Sequence, residues 1–316
     1  MFPNNRIIWA DTLKGFLSVL VVLGHAIQFS VPDYTCSHLF NYIYSFHMPL
    51  FMAMSGFVSY KPQEQSPMGR PLGGAKKFSA QLLTPYLFWS LLLCTVRRMD
   101  LVESLFVSPI YWFLIVLFFI RLLIIGCQWI SNALNLNISY VYLFVLCTLF
   151  VQHALYNISL LSLNLLPFYF TFYMVGRIIR RYESRILREW IIIPLFVCFL
   201  FLSYYYQQNS SPSFLPSLPA SLYFFTTGLC GTFLFMAIFK FVIGKYLTGL
   251  TSLGTITLGV YVSNIFFSFL LSDSIQKCYY RLGSFWGITF ICVVMLFSSV
   301  LITRVLKKNK YTKYLV

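Results

Sequence analysis

A chain of 316 residues that is 59% hydrophobic and only 10% charged lacks the polar cover of a soluble domain, where about a quarter of residues are charged. Its formal net charge of +15 raises a nucleic-acid reading, but the apolar runs leave no soluble module to carry a basic face. The composition is that of an all-α, polytopic membrane helix bundle, with apolar stretches near or above about 18 residues along the whole chain.

Hydropathy predicts about ten transmembrane spans, at residues 7–30, 39–60, 78–96, 106–128, 138–154, 158–176, 190–206, 220–243, 251–272 and 284–303. The first is not expected to be a cleaved signal peptide, because it is long, carries Asp11 and Lys14, and has no small-residue cleavage site behind it. With the N-terminus inside, most of the 23 basic residues fall in cytoplasmic segments: Arg6, the 61–77 loop, 177–188, Lys240, Lys245 and the tail from Arg304. The positive-inside rule therefore places both termini in the cytoplasm and accounts for the basic excess. No internal repeat of the kind that builds duplicated-half transporters is evident, and no soluble insert interrupts the spans. Residues 1–316 read as a single membrane domain.

Within the first span, "DTLKGFLSVLVVLGHA" at 11–26 holds three ionisable groups. At about 100° per residue, the eleven positions from Lys14 to His25 return to within about 20° of the same face. Asp11 is i−3 and Ser18 is i+4 from Lys14, so all four share one stripe facing the bundle interior. Charged groups inside spans are expensive and mark function. The second span contains "FHMPLFMAMSGF" at 46–57, with His47 at a depth comparable to His25 and Pro49 predicting a kink. A satisfied interhelical hydrogen bond is the alternative reading for either histidine.

Residues 61–77 form a Pro/Gly-rich basic loop ending in Lys76 and Lys77, and Arg121 is the one other basic residue deep in a span, at about the depth of Asp11. An Asp11–Arg121 ion pair is one expectation. The run 177–189, with Arg177, Arg180 and Arg181, has basic residues at helical spacing. It suits interfacial anchoring or contact with an anionic cofactor. The eight cysteines lack zinc-type spacing, so no metal is expected. A Cys36–Cys278 disulfide between predicted outer loops is left open.

The order and spacing of "WADTLKGFLSVLVVLGHA", "YSFHMPLFMAMSGF", "KKFSAQLLTPYLFW", "YWFL" and "SLGTITLGVYVSN" resemble the membrane acyltransferase 3 family, over essentially the whole chain. The flavour of the first block is similar to the fucose 4-O-acetylase-like branch. The resemblance implies a ten-helix protein of the bacterial cytoplasmic (inner) membrane. It implies an O-acyltransferase that uses acetyl-CoA or another acyl-CoA donor on a saccharide or lipid-linked glycan acceptor. The family's basic residue, ten others and then histidine map onto Lys14 and His25. Two positions depart: Gln81 stands where an arginine is usual, and Asn264 stands where the late motif ends in histidine.

The chemistry needs a base for the hydroxyl, for which His25 has the suitable ordinary pKa. An acyl-His25 relay is the variant of that mechanism. Lys14 would orient the donor or balance charge along the path, Asp11 joins the same stripe as a catalytic candidate, and His25 and His47 would contact the sugar. Lys76, Lys77, Arg121, Arg177, Arg180 and Arg181 are the candidates for the donor's phosphates. The readings from other classes are a transporter or flippase using the same stripe as a relay, and an inactive scaffold.

Overall fold

The computed structural model describes residues 6–60, 71–156, 158–204, 218–244, 246–310 and 312–316, and among them every regular element is a helix. In chain order these are α1 (Ile8–Ser30), α2 (His38–Tyr44), α3 (His47–Ser59), α4 (Pro71–Arg97), α5 (Trp112–Leu134), α6 (Ile138–Tyr156), α7 (Leu166–Arg181), α8 (Glu183–Ile186), α9 (Ile192–Tyr204), α10 (Leu218–Ile238), α11 (Thr248–Gly254), α12 (Thr257–Leu270), α13 (Ser272–Leu282) and α14 (Ser284–Lys308). The all-helical expectation holds.

Among the described residues six helices have the length and hydropathy to cross a membrane: α1, α4 from Phe78, α5, α6, Ser221–Ile243 and α14. The bent pair α12 and α13, which meet at 77°, makes a seventh if counted as one span. The second expected span is split at Ser45 and Phe46 into α2 and α3. Pro49 sits in the first turn of α3, where its missing N–H goes unused in any helix, so the expected kink is a full break. The sixth expected span begins late, because Leu161 and Ser162 take left-handed backbone angles, φ 52° and 56°, ahead of α7. Hydropathy registers the apolar run but not the interruption.

The chain packs as two compact units, Met1–Met54 with Tyr182–Tyr314 and Val316, and Ser55–Arg181 with Leu315. In the first unit α1 is central and packs on α11, α12, α13 and α14. The α1–α11 crossing is close because glycines face backbone from both sides. A Cβ on Gly15 would overlap the Leu250 carbonyl oxygen, and one on Gly254 would overlap that of Asp11. Beside this crossing Thr12 Oγ1 lies 2.9 Å from Thr251 Oγ1 and 3.3 Å from the Gly244 carbonyl. Farther along, Val22 and Ala26 of α1 join Ile256, Val260, Ile275, Ile291 and Met295 in one apolar cluster. On α14 every fourth residue is buried, Gly287, Ile291, Met295, Ser299 and Thr303. Phe285, Phe290, Phe297 and Leu301 on its other side are exposed, as a lipid-facing helix requires.

In the second unit α5 packs on α4, α6 and α7. Gly56 admits the Tyr173 backbone, and Ser59 Oγ lies 2.6 Å from Tyr173 Oη. Asn135, at φ 51°, ends α5 in the left-handed conformation that asparagine tolerates. Neither Cys36 nor Cys278 is in a disulfide.

Candidate active site

The first unit gathers polar side chains around His25. The ring lies toward the C-terminal end of α1, and its Nδ1 is 2.7 Å from Nδ2 of Asn264 on α12. Asn264 is fully buried, within the run Val262, Ser263, Asn264 and Ile265 that α12 turns inward. One turn beyond His25, Gln28 Oε1 accepts from the Tyr44 hydroxyl at 3.1 Å. Tyr44 ends α2, and its ring lies against α1 where Gly24 has no side chain; a Cβ there would be 2.9 Å from the ring. His47, at the start of α3, is 3% exposed, with Nδ1 2.8 Å from the Ile43 carbonyl and its ring edge-on to Tyr44 at 4.6 Å. A carbonyl only accepts, so Nδ1 of His47 carries hydrogen and Nε2 holds the lone pair of the neutral ring. His25 and His47 are close enough to interact electrostatically. Four helices thus bring two imidazoles, two carboxamides and a phenol together.

The inner part of the α1 stripe forms a separate group. Asp11 Oδ1 and Lys14 Nζ pair at 2.6 Å, with side chains 13% and 21% exposed respectively. Ser18 Oγ donates to the Lys14 carbonyl at 3.1 Å. Eleven residues separate Lys14 from His25, about 16 Å along the axis, so the two do not share one contact network. Asp11 is partnered within its own helix, and the expected Asp11–Arg121 pair is replaced by the local one. Arg121 lies over the Phe78 ring at 5.7 Å, with Nε buried and lacking a hydrogen-bond partner among the described residues.

A second feature belongs to the second unit. A cavity of about 260 Å³ is lined by Tyr60, Ser139, Tyr142, Met174, Arg177 and Arg181, among others. Arg177 is 7% exposed, and its guanidinium faces the rings of Tyr60 at 5.5 Å and Tyr142 at 6.0 Å. Arg180 instead covers Phe57 at 5.1 Å. The cavity is therefore built from arginine and tyrosine at the end of α3, the start of α6 and the end of α7, a lining suited to an anion carrying a planar group. The side chains of Lys76 and Lys77 lie outside the described residues. No group of three or more His, Cys, Asp or Glu gathers among the described residues.

The sequence pattern picked out His25 and His47 but passed over Gln28 and Tyr44. Gln28 continues the His25 face by one turn, which was a usable signal. Asn264 stood out only as a departure from a motif, and the structure makes it the direct partner of His25.

A family model described as an acyltransferase domain matches residues 7–304. Two relatives are both described as nodulation protein NolL. That of Sinorhizobium fredii is 41% identical over 98 residues, 30% of this chain and 26% of that protein. That of Mesorhizobium japonicum is 29% identical over 222 residues, 62% of this chain and 57% of that protein. The chain thus aligns with about a quarter of the length of the first relative and little more than half of the second. No solved structure matches it.

Proposed function

The chain belongs to the acyltransferase 3 family, and on that premise we propose that it is an integral-membrane O-acetyltransferase. In this reading it moves an acetyl group from acetyl-CoA to a sugar hydroxyl of a cell-envelope or exported polysaccharide at the bacterial inner membrane. The observation that carries the reading is His25. It is an imidazole inside an apolar helix, held at 2.7 Å by a buried carboxamide and flanked by Gln28, Tyr44 and His47. An ionisable side chain in such a place marks a site of chemistry.

His25 is the base. Nε2, the ring nitrogen turned away from Asn264, takes the hydroxyl proton as the sugar oxygen attacks the thioester carbonyl. The C–O bond forms and the C–S bond breaks. The departing CoA thiolate recovers the proton from the imidazolium, so the protein returns to its starting state. His47 and Gln28 orient the sugar. The Asp11–Lys14 pair keeps the inner half of α1 neutral. Arg177 and Arg181, with Lys76 and Lys77 as further candidates, meet the phosphates of the donor, because guanidinium groups bind phosphate oxygens strongly.

The test is acetyl transfer from labelled acetyl-CoA to base-deacetylated surface polysaccharide by the purified protein in lipid nanodiscs. Transfer is expected, and His25→Gln is expected to lower it by about 100-fold or more. Passage of sugar across a vesicle membrane without covalent change would instead support the transporter reading. Unchanged O-acetyl content in cells lacking the protein would sink the enzymatic one.

A further inference from the structure

The amide that holds His25 is only half satisfied. Nδ2 of Asn264 meets Nδ1 of His25 at 2.7 Å, while Oδ1 of the same amide is buried with no hydrogen-bond partner among the described residues. An amino group only donates, so this orientation makes Nδ1 the acceptor and leaves the hydrogen of the neutral ring on Nε2. A ring in that form has no lone pair on its outward nitrogen and cannot take a proton there. A half-turn of the terminal carboxamide exchanges oxygen for nitrogen in the same envelope and moves no other atom. The contact then becomes Nδ1–H donating to Oδ1. The oxygen then faces Nδ1–H, the amino group takes over the unpartnered position, and the Nε2 lone pair is freed.

Proton uptake separates the two orientations further. Once His25 is protonated, both ring nitrogens donate. Against the amino group, two donors then face each other in a buried site, which is destabilising. Against the oxygen, the contact becomes a charge-assisted hydrogen bond, of the stronger class. Only the second arrangement binds the charged ring better than the neutral one, which is what a base needs as charge develops.

We infer that Asn264 is the positioning residue of His25: its carboxamide oxygen accepts from Nδ1–H, so that the Nε2 lone pair faces the acceptor hydroxyl. This rests on the reading of His25 as the base. It assigns a task to the position where the family motif otherwise ends in histidine. Asparagine there can accept from Nδ1–H without adding a second titrating group.

The wild-type protein tests this directly. Solid-state ¹⁵N NMR of histidine-labelled protein in lipid bilayers, with His25 assigned by difference from His25→Gln, is expected to show a protonated Nδ1 and a bare Nε2. The opposite tautomer would overturn the inference. Kinetics supply a second test with acetyl-CoA and base-deacetylated polysaccharide. Asn264→Leu is expected to lower kcat about 100-fold while the KM for acetyl-CoA moves less than about threefold. Asn264→Asp presents an oxygen in either rotation and is expected to retain activity within about tenfold of wild type. An Asp variant as damaged as the Leu variant, or a Leu variant with wild-type turnover, counts against it. Should His25→Gln keep full activity, the assignment of His25 as base falls, whereas the NMR result still decides which atom of Asn264 faces the ring.

Discussion

Asp11 and Lys14 show how a membrane helix carries charge without exposing it. One turn apart and 2.6 Å from each other, they present lipid and neighbouring helices with a neutral pair. Removing one partner leaves a lone charge in a low-dielectric setting, so Asp11→Asn or Lys14→Met alone is expected to cost about 2 kcal/mol. The double variant should cost less than the sum of the two, read as thermal midpoints in nanodiscs. Additive losses would show that each residue works through a different neighbour. Their i,i+3 spacing was legible in the sequence, although the partner expected for Asp11 was Arg121 and not Lys14. The Asn264 contact was not legible, because its partners lie 239 positions apart and only packing brings α12 onto α1. His47 shows the opposite outcome: its place near His25 was readable, but its Nδ1 turned out to be satisfied by Ile43 four residues back.

At the scale of elements, unit one depends on a crossing that tolerates nothing larger than hydrogen. Gly254→Ala would drive a methyl into the Asp11 backbone, and backbone atoms cannot swing aside as a side-chain tip can. We expect a loss of about 1–3 kcal/mol and a lower thermal midpoint. Gly126→Ala in α5 is the control, since nothing lies within 4 Å of its would-be Cβ. That change should be neutral or stabilising by up to about 1 kcal/mol through helix propensity. Equal effects of the two would argue against the tight crossing. Long, uninterrupted helices were the most legible elements: α1, α6 and α14 begin within a residue or so of their expected starts. Breaks were the least legible. The split at Ser45 and Phe46 and the left-handed pair Leu161 and Ser162 involve residues that carry no Gly or Pro signal of their own. A hydropathy window passes over both.

Across the whole molecule, the basic residues that the topology rule assigns to the cytoplasm include those that build the tyrosine- and arginine-lined cavity. Anchoring and anion binding are therefore not competing accounts of Arg177. A surface anchor has no need to be 7% exposed or to lie between two tyrosine rings. Arg177→Gln is expected to raise the KM for acetyl-CoA about tenfold with kcat within about threefold. Arg177→Lys should recover only part of the loss, because an ammonium keeps the charge but not the planar fork. An unchanged KM would remove the cavity from the donor site. Composition was enough to establish membrane helices, and the family was legible from five short motifs. The cavity was not, because it joins the end of α3, the start of α6 and the end of α7, whose proximity is a property of the fold alone.

The space above Gly24 has one more consequence. The Tyr44 ring occupies the volume where a side chain at 24 would stand, so the two positions share one fixed allowance of atoms. A methyl gained at 24 displaces the Tyr44 ring, and the phenol that anchors Gln28 moves with it. The Gly-His dipeptide of the first helix therefore behaves as one word: the histidine supplies the reactive nitrogen, and the glycine's missing carbon is the hole its neighbour was shaped to fill.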